Sequence, residues 1–158
     1  MPKAIPELRL VLEKASKHIR KQLSLDPELG QRILRKRNIL KRWFGLVYLL
    51  TFSTGKSYIG ITTIGIEHRF LGHIKNTFRG GKGAVHNAIR KYGLPKIKAL
   101  KIVPLTRLKQ EEQQAVIKFN SLSPNGYNMT PGGDFNPMKV PEIARRHKAV
   151  MAGPNGPM

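Results

Sequence analysis

Tyr48 and Tyr58 stand on either side of a short turn, in the triplets Leu46-Val47-Tyr48 and Tyr58-Ile59-Gly60. Such a pair in a strongly basic chain points to chemistry that cuts nucleic acid. Whether the rings can act together depends on the turn between them. A two-residue loop at Thr54-Gly55 would pair position 48 with 61 and 58 with 51, setting the rings on opposite faces. A three-residue loop with Gly55 in the left-handed conformation would pair 48 with 60 and 50 with 58, and both rings would then share a face. Taken by themselves, the two tyrosines are better accounted for as ordinary aromatic strand positions.

The helix expected over Ile66–Phe78 carries Arg69 and His73 four residues apart, and therefore on one side. They flank an apolar stripe of Ile66, Phe70, Ile74 and Phe78, so they can border a cleft made with the hairpin. Acids are scarce in this part of the chain: between residues 45 and 133 only Glu67, Glu111 and Glu112 occur. On a helix opened by Thr106, the stripe Leu108, Ala115, Val116 and Phe119 includes position 112, whereas Glu111 turns away from it. A carboxylate on an inward stripe needs a partner. A basic side chain and a bound cation both remain open for Glu112.

The elements that must position these residues are legible as patterns. Leu8, Leu12, Ala15, Ile19 and Leu23 form one stripe of a helix over residues 6–24. Asp26-Pro27 reads as the cap and first turn of a second helix running to about Arg42, dense in Arg32, Arg35, Lys36, Arg37, Lys41 and Arg42. That density of one charge favours contact with a nucleic-acid backbone over a merely solvated face. Leu46–Phe52 and Ser57–Ile61 read as strands around a turn, Ala84–Tyr92 as a helix stopped by Gly93, and Lys96–Val103 as a third strand. Pro124-Asn125-Gly126 and Pro131-Gly132-Gly133 close the core with turns. The order predicts a small α+β domain with a three-stranded mixed or antiparallel sheet flanked by helices, plus a basic helical N-terminal extension.

Composition narrows the partner. The 158 residues carry a net charge of +20, divided as +8 in residues 1–44, +10 in 45–133 and +2 in 134–158. Such a surface attracts polyanions in a salt-dependent way. No run approaches the ~20 apolar residues of a spanning helix and no signal-peptide core is present, so a membrane partner is not expected. The absence of cysteine excludes disulfides and thiolate metal sites and suits a cytoplasmic protein.

Taken in order, Leu46-Val47-Tyr48, Tyr58-Ile59-Gly60, Arg69, His73, Ala88-Ile89-Arg90-Lys91-Tyr92-Gly93, Glu112 and Asn125-Gly126-Tyr127-Asn128 resemble the motifs of GIY-YIG nucleases. The likeness covers residues 45–133. It is nearest to the homing endonucleases of phages and mobile introns, in which Ile117-Lys118-Phe119-Asn120-Ser121 and the Asn-Gly-Tyr-Asn-Met-Thr-Pro-Gly-Gly ending are familiar. Leu46-Val47 departs from the family's Gly-Ile, which touches local packing more than chemistry because the tyrosine is kept.

The resemblance implies hydrolysis of a phosphodiester in double-stranded DNA, in a host-cell cytoplasm if the chain is phage-encoded. Glu112 would hold a divalent cation, Mg²⁺ with Mn²⁺ as a substitute, and no small-molecule cofactor is implied. Tyr48 would orient or deprotonate the attacking water, although a phenol of pKa ~10 needs a neighbouring cation to ionise. Arg69 would stabilise the pentavalent phosphate, Tyr58 would hydrogen-bond a phosphate oxygen or the water, and His73 would act as a second donor or proton relay. Tyr48, Tyr58 and His73 could exchange roles. Gly60 and Asn128 would support the shape of the site.

Target choice would then fall to the flanks. Residues 1–44 form a basic helical extension expected to contact DNA. The tail from 134, with Asn136-Pro137-Met138, a helical stretch to Ala152, and Arg145, Arg146 and Lys148, resembles the start of a DNA-binding module. Gly156-Pro157-Met158 repeats the end of that triplet 20 residues on, as expected of a chain cut short at a second copy. Three readings follow: a site-selective homing endonuclease, a structure-selective repair or recombination nuclease, and a catalytically silent nucleic-acid-binding protein. Protein partners are left open.

Overall fold

The residues from Gly45 to Leu50 are all buried, odd and even positions alike, because the strand they form is covered on both faces. The computed structural model describes residues 5–36 and 38–130. In chain order these form α1 (Ile5–Ser24), α2 (Leu29–Arg35), β1 (Phe44–Thr51), β2 (Ser57–Thr62), α3 (Ile66–Phe78), α4 (Ala84–Tyr92), β3 (Lys96–Pro104) and α5 (Leu105–Lys118). The sheet has the order β2-β1-β3, with both pairings antiparallel. This is the α+β class expected, with the mixed alternative removed.

Alternation along β1 divides the interior in two. Leu46, Tyr48, Leu50 and Phe52 face a large cluster with Ala15, Ile19 and Leu23 of α1, Phe70 and Ile74 of α3, and Val85 and Ile89 of α4. Val47 and Leu49 face the other way, with Ile59 and Val103, onto Leu108 and Val116 of α5. Each fully buried aliphatic or aromatic side chain of this kind stabilises the fold by about 1.5–3 kcal/mol.

The N-terminal helix belongs to that first cluster. Ala15, Ile19 and Leu23 are buried, as the stripe predicts, and polar contacts fasten the rest. Ser16 and Arg20 both donate to the Glu67 carboxylate on α3. His18 Nε2 lies 2.6 Å from the Pro95 carbonyl, and Gln22 Oε1 accepts from the Ile97 N–H at 3.3 Å. Residues 5–24 therefore share one core with the sheet, across the boundary expected near residue 44.

Two expectations require correction. The second helix ends at Arg35 rather than near Arg42, and Asp26 sits in the turn before it, its carboxylate accepting from the Glu28 N–H at 3.1 Å. After Leu29 and Ile33, the next positions on that face are Lys36 and residue 37, so no apolar stripe carries the helix further. Buried Leu40 is instead reached through turns, with Lys41 at φ 50°. Thr106 is likewise not a cap: α5 starts at Leu105, whose N–H donates to the Trp43 carbonyl at 2.9 Å.

The hairpin resolves the choice left open by the turn. The Phe52 N–H bonds the Lys56 carbonyl at 3.1 Å and the Gly55 N–H returns to the Phe52 carbonyl, enclosing Ser53, Thr54 and Gly55. Gly55 has φ 84°, a left-handed value that costs glycine nothing. Tyr48 pairs with Gly60 and Leu50 with Tyr58. The tyrosines therefore share a face.

Candidate active site

Tyr48 has small residues on both flanks, Gly60 across one ladder and Ala99 across the other. A register shift in the β1–β3 ladder falls between Val47 and Tyr48, where a bulge re-aims the adjoining side chains. The ring crosses Gly60 so closely that a Cβ there would lie 2.3 Å from the phenol oxygen. It is wholly buried, and its hydroxyl is 3.0 Å from His73 Nε2 on α3. The half-buried Tyr58 ring meets the same imidazole edge-on, with centroids 5.4 Å apart and planes at 85°. One histidine thus joins both tyrosines.

In front of this cluster is a cleft of about 550 Å³ along the β2 edge of the sheet, lined by Tyr58, Arg69, His73, His86, Glu112 and Asn128. Each element contributes for a local reason. Arg69 and His73 share a side of α3, Glu112 follows the inward stripe of α5, and Asn128 ends the turn-rich segment that runs back along β2. The Asn128 side chain accepts from the Ile59 N–H and donates to the Ile59 carbonyl, each at 2.8 Å. The Tyr127 N–H donates to the Ser57 carbonyl at 2.9 Å. An otherwise open strand edge is closed and the cleft wall is fixed.

The electrostatics separate these groups. Burial raises the Tyr48 pKa well above the usual phenol range, as do Tyr58 and Glu112, while the Arg69 guanidinium opposes the rise. Tyr58 is raised by burial and Glu112 and lowered by Arg69. His73 is pushed down to about 3 by burial, then by the Arg69 and His86 charges. Near neutrality Tyr48 is a phenol and His73 a neutral imidazole. The buried Tyr48 hydroxyl is bonded to His73 and is also reached by the Arg69 guanidinium, which lines the cleft.

His86, at the start of α4, was not singled out from the sequence. Both of its ring nitrogens are shielded from solvent without a hydrogen-bond partner, a condition shared among the described residues only by the Ser121 hydroxyl. Its ring centroid is 5.8 Å from that of His73. Leaving such a buried polar group unpaired costs about 1–3 kcal/mol. The one sequence cue is the run Gly80-Gly81-Lys82-Gly83 just before it, where glycine leaves room for the ring: a Cβ on Gly81 would be 2.7 Å from His86 Nδ1.

The two adjacent acids take different places. Glu111, expected to turn away from the interior, is buried beneath Lys101 at 3.1 Å and Arg107 at 2.8 Å. Those contacts, the Lys101 hydrogen bond foremost, hold its carboxyl below the usual range. Glu112 is also buried but lines the cleft. No group of three or more His, Asp or Glu side chains is gathered for a metal ion among the described residues. A single carboxylate beside open volume fits Mg²⁺, which takes one or two carboxylates and fills its remaining sites with water and phosphate oxygens.

The basic residues of the N-terminal region lie elsewhere. Arg32, Arg35, Lys36 and Lys41 line a groove of about 910 Å³ with Lys101 and Phe44, at the β3 edge and so across the sheet from the cleft. Arg42 is exposed beside it in sequence. Arg37, Arg145, Arg146 and Lys148, with the whole tail from residue 131, lie outside the described residues. No helix among the described residues is long and apolar enough to cross a membrane. No family model, curated protein or solved structure matches the chain.

Proposed function

We propose that the chain is a divalent-cation-dependent endonuclease of GIY-YIG type that hydrolyses phosphodiesters of double-stranded DNA, with site-selective, homing-type cutting. The observation that carries this reading is the convergence on one cleft of Tyr58 from β2, Arg69 and His73 from α3 and Glu112 from α5, backed by Tyr48 of β1.

In this reading Arg69, exposed at the cleft rim, draws in the scissile phosphate and balances the charge gained in the pentavalent state. The Tyr58 hydroxyl donates to a phosphate oxygen. His73, neutral and held by Tyr48, fixes the Tyr58 ring against which the phosphate sits. Glu112 would hold Mg²⁺ or Mn²⁺, which when bound supplies Lewis-acid stabilisation of charge on the phosphate and departing oxygen. Affinity comes from the basic surface outside the cleft, chiefly the groove at the β3 edge.

The test is digestion of random linear duplexes and of branched duplexes with Mg²⁺, followed by sequencing of the ends. Ends that share a sequence support homing-type cutting. Ends only at branch points replace it with the structure-selective reading, and intact substrates of both kinds overturn the nuclease reading.

A further inference from the structure

The groove at the β3 edge carries apolar surface between its cations. Leu29, Ile39, Phe44, Leu100 and Ile102 line it together with Arg32, Arg35, Lys36 and Lys41. Its four aliphatic side chains Leu29, Ile39, Leu100 and Ile102 are half-buried, whereas those four cations are exposed. Lys101, also in the lining, is paired with Glu111, but Arg32, Arg35, Lys36 and Lys41 make no salt bridge among the described residues. Glu28 is the one acid among the described residues of the lining. The cations attract a polyanion, and the apolar surface beside them calls for something other than phosphate.

Phe44 is held in this groove by its backbone. It opens β1 opposite Pro104 of β3, and its N–H donates to the Leu40 carbonyl at 3.1 Å. Phe44 is 38 % exposed, whereas Gly45 to Leu50 after it are all buried. β3 is the last strand on this side of the sheet, so its outer edge carries backbone groups that no strand pairs among the described residues. Unpaired cations beside an exposed aromatic ring are what hold a single nucleic-acid strand, the cations taking its phosphates and the ring the face of a base. A duplex engages the cations in the same way but keeps the faces of its bases stacked inside, so it leaves the phenyl ring and the apolar surface unfilled.

We infer that this groove binds an unpaired strand of DNA, with a base stacked on Phe44 and phosphates on Arg32, Arg35, Lys36 and Lys41. The choice of DNA over RNA rests on the nuclease reading above, whereas the fit to an unpaired strand rests on the groove alone. Duplex DNA shares the cations, so the two forms compete for the groove, and the unpaired strand adds the stacking.

The experiment uses the full chain in EDTA, so that no strand is cut. Affinity is read from the anisotropy of a labelled oligothymidylate of about twelve nucleotides. Its place is read from quenching of Trp43, the sole tryptophan and the residue before Phe44. Oligothymidylate is expected to bind at least ~5-fold more tightly than an abasic oligomer of the same length, which keeps the phosphates and lacks the bases. Phe44→Leu keeps the apolar character and removes the ring. It is expected to lose about 5- to 150-fold in affinity for oligothymidylate and to hold the abasic oligomer as wild type does. Phe44→Tyr keeps the ring and binds as wild type. Equal affinity of wild type and folded Phe44→Leu for oligothymidylate, or of wild type for oligothymidylate and the abasic oligomer, would overturn the inference and leave a groove for phosphates only. Tighter binding of oligouridylate would overturn the choice of DNA, and equally tight binding of oligoglutamate would replace nucleic acid with an acidic protein segment. No outcome here depends on cleavage, so a chain that binds the strand yet cuts no DNA loses the nuclease reading and keeps the groove.

Discussion

The Tyr48 ring lies across Gly60, its partner on the neighbouring strand, so that a Cβ at position 60 would stand 2.3 Å from both the ring carbon Cζ and the phenol oxygen. Since that oxygen is bonded to His73, the glycine sets where the imidazole sits. Gly60→Ala is expected to force the phenol aside and to cost about 1–3 kcal/mol as overpacking. Urea unfolding measures the loss, and cleavage falls with it because Tyr58 and His73 no longer meet. An alanine variant of wild-type stability would show that the ring has room to spare.

Tyr48→Phe keeps the buried ring and removes only the hydroxyl. His73 then loses a buried hydrogen bond, at a cost of about 1–3 kcal/mol. If the hydroxyl serves to position His73, cutting should slow by about tenfold, the equivalent of ~1.4 kcal/mol, and persist. Complete loss of cutting by a folded Tyr48→Phe protein would return the phenol to the chemistry itself.

The low pKa of His73 makes stability depend on pH in a stated direction. Its pKa is about 3 in the folded chain and 6.5 as the reference for the unfolded one. Between those values the unfolded state binds the extra proton, so stability rises with pH by up to ~1.4 kcal/mol per unit from this residue. The contribution is fully present above pH 6.5 and is lost as pH falls towards 3. His86 adds to the same trend. Denaturant unfolding from pH 4.5 to 7.5 should give a shallower pH slope for His73→Gln than for wild type, and equal slopes would contradict a buried neutral imidazole.

How much of this was legible differs from residue to residue. The shared face of Tyr48 and Tyr58 followed from Gly55 once a three-residue loop was considered, because strand alternation converts loop length into register. The α3 and α4 helices matched their expected spans, since each pairs a clear apolar stripe with glycine punctuation. Alternation gives the face of Tyr48 but not its depth, which the packing of α1 and α3 decides. The premature end of α2 was obscured by reading its cations as one helical face. His86 was illegible because its meaning lies in missing partners, which only a packed structure displays.

The groove at the β3 edge is testable by charge. Removing residues 1–42 would take Ala15, Ile19 and Leu23 from the core, so substitution is the cleaner experiment. Neutralising Arg32, Arg35 and Lys36 together is expected to leave unfolding within about 0.5 kcal/mol of wild type, since all are exposed. It should reduce the slope of log K against log salt for duplex DNA by up to ~2.7, about 0.9 for each phosphate no longer neutralised. An unaltered slope would place DNA binding elsewhere.

The central claim is that Glu112 and the groups around it form a cation-dependent nuclease site. Conversion of supercoiled plasmid to nicked or linear DNA tests it most directly, comparing wild type with Mg²⁺, wild type with EDTA, and folded Glu112→Gln with Mg²⁺. Full conversion is expected in the first case only, with the variant slowed by at least about 10²-fold. Full Mg²⁺-dependent cutting by Glu112→Gln would contradict it.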